Sequence, residues 1–283
     1  MKTVTFLNHK GGVGKTTFAS IIAQGLTLAG YRTLAIDNDS QHNLTSVLGV
    51  VPARPDLADV YDSGRKKAEK TFLKSIRKTS LENLHIVSSS PGLSARNLDK
   101  ASFLRDTISS LNLEKSYDFI IIDNAPGLDL LQEQSILCSD LVFTPTELKQ
   151  FAVDGVVEMK EIIRKRFSGK HRITKVIPNF YRGTKREKTF LSVLHKMFPG
   201  SVTETLIPRD NVLDEIVTKE KILFVHRYAS KASKAFISLM QEIFGLDEEF
   251  PERIYNSRKE FISEEARERY AENLKKQGQR HEG

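Results

Sequence analysis

The sequence predicts an α/β fold: a doubly wound, mostly parallel twisted sheet with helices on both faces. Three observations carry this. Short apolar runs alternate with segments whose apolar residues recur at helical spacing, from residue 3 to residue 244. The run Phe119-Ile120-Ile121-Ile122-Asp123 is unbroken, as a strand covered on both faces requires. A glycine-rich turn joins the first run directly to the first helix.

Val4, Phe6 and Leu7 mark the first strand. The chain turns through Lys10, Gly11, Gly12, Val13 and Gly14, and a helix starts at Lys15 with Phe18, Ile21, Ile22 and Leu26 at helical spacing. Gly30 ends that helix. Thr33 to Ile36 is a second strand, ending in Asp37-Asn38-Asp39. His42 to Leu48 reads as a short helix closed by Gly49, Pro52 and Pro55 mark a loop, and Leu57 to Lys78 carries one or two amphipathic helices. Leu84 to Val87 is a third strand, followed by the Ser88-Ser89-Ser90-Pro91-Gly92 loop. Ala95 to Leu111 is a helix with Leu98, Phe103, Leu104, Ile108 and Leu111 on its apolar face.

The second half continues the alternation. Leu128 to Leu137 is helical, Leu141 to Thr144 a strand and Gln150 to Phe167 a helix. Ile173 to Pro178 is a strand, Arg186 to Phe198 a helix, Thr203 to Ile207 the last strand and Arg227 to Phe244 a long helix. The predicted organisation is one body over residues 1–246 and a charged helical extension over 247–283. In the extension ten acids and eight bases surround a few scattered apolar residues, and a helix is expected after a break at Pro251.

At 283 residues and 39% hydrophobic content the chain can bury a full core. No apolar run reaches the roughly 18 residues needed to span a bilayer. No secretory leader is expected, because the first strand starts at the initiator methionine. Cys138 is the single cysteine, which excludes an internal disulfide, argues against an iron–sulfur centre and suits a cytosolic setting. Its own reading is that of a small buried apolar residue. Net charge is +7. Between Arg164 and Lys196 eleven bases face one acid, Glu187, and between Arg65 and Lys78 seven bases face Glu69. Such blocks are commonly solvated faces, and blocks this lopsided are also the electrostatic footprint of a polyanion partner.

Strand, glycine loop and helix, with Lys-Thr at the helix start, is the layout that cradles phosphate. Glycines let successive N–H groups point into one concavity, and the helix N-terminus adds partial positive charge. Lys15 would reach the β- and γ-phosphates and the Thr16 hydroxyl would ligate Mg²⁺. The general pattern G-x-x-x-x-G-K-[ST] would place its first glycine at His9. With Lys10 as an additional lysine, Lys10-Gly11-Gly12-Val13-Gly14-Lys15-Thr16-Thr17 is the narrower deviant Walker A form.

At these residues the chain resembles the ParA/MinD/Soj group of P-loop ATPases. The resemblance implies a P-loop NTPase fold, ATP bound by Lys10 through Thr17 (Lys10, Gly11, Gly12, Val13, Gly14, Lys15, Thr16 and Thr17), and Lys10 reaching across a dimer interface to the other subunit's ATP. Asp123 matches the Walker B aspartate that holds the hydration shell of Mg²⁺, and Asn124-Ala125-Pro126-Gly127 resembles the second switch. Asp37-x-Asp39-x-Gln41 matches a D-x-D-P-Q signature with Ser40 in place of proline. By that match Asp39 orients the attacking water and Asp37 helps hold Mg²⁺, so Lys10, Lys15 and Asp39 are the catalytic set and Thr16, Asp37 and Asp123 the metal set. Asn179 matches the asparagine that contacts adenine, and Pro208 the loop on the other side of the base. No Asn-Lys-x-Asp guanine-reading motif is present, which favours ATP over GTP.

The function implied is a partition ATPase that segregates a plasmid or chromosome. It would be a homodimer with ATP, bind DNA nonspecifically, and be stimulated by a ParB-like activator in a cytoplasmic, nucleoid-associated setting. Candidate DNA contacts are Lys185, Arg186, Arg209, Lys219, Lys221, Arg227, Lys231 and Lys234. The loop begins at residue 10, so the N-terminal helix-turn-helix of operator-binding relatives is not expected. The alternatives are positioning of a protein cargo, such as a microcompartment or chemoreceptor cluster, or a MinD-like role in division. The thin apolar face and balanced charges of the extension argue against membrane insertion.

Overall fold

The computed structural model describes residues 1–95, 98 and 102–278. Strand β1 (Lys2–Phe6) leads through the glycine turn to α1 (Lys15–Leu28), followed by β2 (Thr33–Asn38) and the short α2 (Asn43–Val47). Then come α3 (Leu57–Asp62), α4 (Arg65–Ser75), β3 (Ile76–Lys78), β4 (Leu84–Val87) and α5 (Phe103–Ser110). Strand β5 (Phe119–Asn124) precedes α6 (Leu130–Cys138), β6 (Leu141–Glu147), α7 (Gln150–Arg166) and β7 (Lys175–Asn179). The rest is helical: α8 (Lys185–Met197), α9 (Asn211–Thr218), α10 (Leu223–His226), α11 (Lys231–Phe244) and α12 (Phe250–Gly278).

The strands form one sheet in the order β3-β4-β2-β5-β1-β6-β7, parallel throughout except for β3. The central strands are apolar on both faces because both faces are covered. Ile121 packs with Phe18, Ile22 and Phe236 of α1 and α11, while Ile120 and Ile122 pack with Leu57, Phe72 and Phe103 of α3, α4 and α5. A third cluster, built on Val142 and Val176, receives Val156, Met159 and Ile163 of α7 and Leu194 of α8. Side-chain caps start several helices: Asp129 and Gln132 form a capping box at α6, as do Thr184 and Glu187 at α8.

Several expected elements differ. Thr203 to Ile207 is not a strand. Isolated bridges flank it, Val176 with Val202 and Tyr181 with Pro208, and the N–H groups of Thr203 and Ile207 donate to Val176 O and Pro178 O, both at 3.0 Å, without extending into a ladder. The Glu242 carboxylate of α11 accepts from the N–H groups of Glu204 and Thr205 at 2.8 and 2.9 Å, which bends the segment off the ladder. Pro178 in β7 has no N–H to offer it. The end of the predicted Leu57–Lys78 helical stretch is strand β3, paired antiparallel with β4. The long helix expected from Arg227 starts only at Lys231, where the Ser230 hydroxyl accepts from Ser233 N–H, and α10 stands apart before it. The helix expected over Ala95–Leu111 starts only at Phe103, after the cap residue Ser102; Ala95 and Leu98 are not helical, and 96–97 and 99–101 lie outside the described residues. Pro251 sits in the first turn of α12 rather than ahead of it, where a missing N–H costs nothing. Phe250 and Ile254 at that end are fully buried in the α1–α11 core. Cys138 is half-buried, and its surroundings push the thiol up to about 12, so it is a protonated, inert thiol.

Candidate functional site

Parallel pairing brings the carboxyl ends of β1, β2 and β5 together. Asp37 lies opposite Asp123 in the β2–β5 register and Asn38 opposite Asn124. The loop after β1 is pinned first by Asn8, whose amide donates to Pro145 O at 2.8 Å while its oxygen accepts from Lys10 N–H at 2.9 Å. Gly14, just before α1, has φ 101°, a conformation that L side chains rarely adopt. A Cβ there would lie 2.7 Å from Asn179 Nδ2. That approach lets Asn179 Nδ2 donate to Val13 O at 2.9 Å, while Asn179 Oδ1 accepts from Phe180 N–H. One carboxamide therefore ties the end of β7 to the glycine loop.

Lys15 is buried, with Nζ 3.2 Å from Lys10 O. Burial lowers its pKa, opposed by the Asp123 and Asp39 carboxylates. Thr16 Oγ1 donates to Asp123 Oδ2 at 2.6 Å, whereas the buried Asp123 Oδ1 has no partner among the described residues. Burial first, and then the facing Asp37, push the Asp123 carboxyl up to about 8. Burial pushes Asp37 up to about 6, against two hydrogen bonds its Oδ2 accepts from Thr45, N–H at 2.8 Å and Oγ1 at 2.7 Å. Asp39 Oδ1 accepts from Gln41 N–H at 2.9 Å.

These groups surround a cleft of about 390 Å³ lined by Gly12, Gly14, Lys15, Thr16, Thr17, Asp39, Asn124, Pro126, Asn179 and Phe180, with Leu213 and Asp214 of α9 closing one side. Sequence reasoning did not single out Asn8, Thr45, Phe180, Leu213 or Asp214. Of these, Asn8 lies just before the glycine-loop motif and Phe180 next to Asn179; the other three lie in no recognised motif. Behind the cleft, Asn124 Nδ2 donates to Thr5 Oγ1 at 2.7 Å and its oxygen accepts from Asn38 Nδ2 and Ser135 Oγ. That buried network fixes the strand ends on which Asp37, Asp39 and Asp123 stand.

Other predicted residues lie outside the cleft. Lys10 is half-exposed at its rim, with Nζ 3.9 Å from Glu147 Oε2 at the end of β6. Pro208 bridges Tyr181 in the loop that leads to α9. Lys219, Lys221 and Arg227 all converge on one carboxylate, Glu215, at 3.2, 3.7 and 2.9 Å. Arg186 and Arg209 lie over the rings of Phe190 and Phe180 at 5.8 and 5.7 Å. Lys185 opens α8, and Lys231 and Lys234 open α11.

The AAA domain family matches residues 1–174. A ParA family protein of Chlamydia pneumoniae is 30% identical over 256 residues, covering 86% of this chain and 97% of that protein. The chain belongs to the ParA family. The chromosome-partitioning ATPase Soj of Treponema pallidum is 28% identical over 256 residues, covering 87% of this chain and 98% of the relative. The septum site-determining protein MinD of Pyrococcus horikoshii, solved with Mg-ADP, superposes with a TM-score of 0.70 at 25% identity, over 86% of this chain and 95% of that one.

This ParA-family chain is an ATP hydrolase, and its cofactors are ATP and Mg²⁺. The site fits both. The glycine loop and α1 N-terminus form a phosphate cradle with a buried lysine beside it. The orphaned Asp123 Oδ1, within a pair of buried carboxylates matched by one lysine, is the donor set a hard divalent cation completes. Mg²⁺ held beside Thr16 and Asp123 would supply positive charge against the phosphates. Among the described residues no helix is long and apolar enough to cross a membrane.

Proposed function

We propose that this chain is a partition ATPase that dimerises with ATP, binds DNA nonspecifically in that state, and segregates a plasmid or chromosome when a ParB-like partner stimulates hydrolysis. The position of Lys10 carries the reading. Its ammonium group is half-exposed at the cleft rim beside Glu147, while its own carbonyl is engaged by Lys15, so the side chain is free to serve a nucleotide held by a second copy. The partitioning relative aligned over nearly its whole length supports the same reading.

In this scheme Lys15 and the loop from Lys10 to Thr17 hold the phosphates. Thr16, Asp37 and Asp123 serve the Mg²⁺ site, Asp39 orients water in the cleft, and Asn179 and the Pro208 loop flank the base. Asp37 would act from behind the wall, held by Thr45. DNA would meet the basic side chains of α8 and of the 209–234 region. Glu215 shares its charge among three of them, and exposed pairs of this kind are weak enough for phosphate to displace. Residues 1–246 form the ATPase body and 247–283 an extension rooted through Phe250 and Ile254. The setting is the nucleoid.

The test is DNA retention by the purified chain with ATP, ADP or no nucleotide across a salt series. Retention is expected only with ATP, and neutralising about six phosphates should make it fall by roughly 10³ between 50 and 200 mM salt. Lys10→Ala should abolish that ATP dependence. Retention indifferent to nucleotide would overturn the proposal.

A further inference from the structure

A second cleft of about 420 Å³ lies beside the nucleotide cleft, and Asn179 and Phe180 form the wall between them. On its rim stands Phe151, in the first turn of α7 and 86% exposed, the most exposed large apolar side chain among the described residues. Leu148 and Phe180 line the inside, with the Arg209 guanidinium 5.7 Å from the Phe180 ring centroid. Arg182 and Arg186 line the same cleft. Glu147, on the near edge, binds both Lys149 at 2.9 Å and Lys10 at 3.9 Å.

A protruding aromatic ring and a cleft on one face are self-complementary under a twofold axis. We infer that Phe151 of each copy seats in this cleft of the other copy, making it the apolar centre of the ATP-bound dimer. The inference rests on the dimerisation reading above and names the contact that serves it. Two properties of the face fix a second copy as the occupant. The face is continuous with Lys10 and Glu147, the residues at which that reading places the neighbouring subunit. It is also strongly cationic, since Lys10, Lys149, Arg182, Arg186 and Arg209 outnumber Glu147 and Glu187. Two such faces repel each other when empty. Two triphosphates held just behind the Asn179–Phe180 wall offset that repulsion, so the aromatic contact closes only when nucleotide is bound.

The test measures the dimer by sedimentation of the full chain with a non-hydrolysable ATP analogue, with nucleotide affinity measured separately on the monomer. Phe151→Ala should weaken the dimer by about a hundredfold, roughly tenfold for each of two buried rings. Phe151→Leu should recover part of the loss, and monomer affinity for the analogue should change by less than about twofold. A benzophenone probe on Phe151→Cys, in a Cys138→Ala background, should crosslink to residues 179–187 of the other copy. A wild-type dimer indifferent to Phe151→Ala, or crosslinks confined to a different protein or a different face, overturns this inference alone. A wild-type chain that stays monomeric with the analogue overturns the dimerisation reading and this contact together.

Discussion

Asp37 and Asp123 stand opposite each other on adjacent strands, both completely buried, yet only Asp37 has hydrogen-bond partners for both oxygens. Asp123 Oδ1 has no partner among the described residues, and Asp37 faces it across the strands. Burying like charges unpaired is costly, so burial favours the protonated form of both carboxyls over the charged one.

That relationship sets a pH dependence. Both carboxyls have folded-state pKa values above the unfolded value, at about 6 and about 8. The folded chain thus binds protons more tightly than the unfolded one. The stability this protonation permits is full below the unfolded carboxylate pKa and is lost as pH rises through about 8. The nucleotide-free chain is expected to lose thermal stability between pH 6 and 8.5. Asp123→Asn, which cannot ionise, should reduce that loss by at least about 1 kcal/mol. Thermal melts of both proteins across the range check it, and parallel curves would contradict it.

Lys15→Ala should remove nucleotide binding. The side chain is the buried cation of the cleft, and deleting one member of a buried charge contact costs about 2–5 kcal/mol, or up to a few thousandfold. Titration with a fluorescent ATP analogue reads this directly.

Asp39→Ala should leave ATP binding in place and slow hydrolysis. Positioned proton-accepting groups contribute about 10²–10⁴ in rate, and Asp39 lines the cleft without bonding the glycine loop. Single-turnover hydrolysis beside equilibrium binding separates the two effects.

Gly25→Ala tests the packing beneath the site. A Cβ there would come within 2.6 Å of Met240 Cε and 2.8 Å of Phe224 Cε2. Overpacking costs about 1–3 kcal/mol, partly offset by the better helix propensity of alanine. A melting temperature lower by a few degrees, with nucleotide affinity retained, is the expected outcome.

Most of the sheet was legible because its signal is local. Phe119 to Asp123 reads as a strand from composition alone, since Ile121 feeds one layer and Ile120 and Ile122 the other. The phosphate loop was legible because two lysines and three glycines at that spacing after a strand have no packing use. What escaped depended on distant partners. The strand expected at Thr203 to Ile207 gives way to a carboxylate 38 residues further on, Glu242. The clamp on Asp37 is Thr45, an ordinary residue inside a short helix, and the side of the cleft closed by Leu213 and Asp214 belongs to a helix with no motif of its own. Lys10 was recognised from sequence, but its pairing with Glu147 required β1 and β6 to be neighbours.

The Asn179 carboxamide spans Val13 and Phe180, so two ends of one binding surface answer to a single codon. Changing this residue removes its hold on Val13 O in the glycine turn and on Phe180 N–H at the same time. The close approach of Asn179 to Gly14, whose φ of 101° suits glycine, leaves neither position a larger side chain without displacing the other.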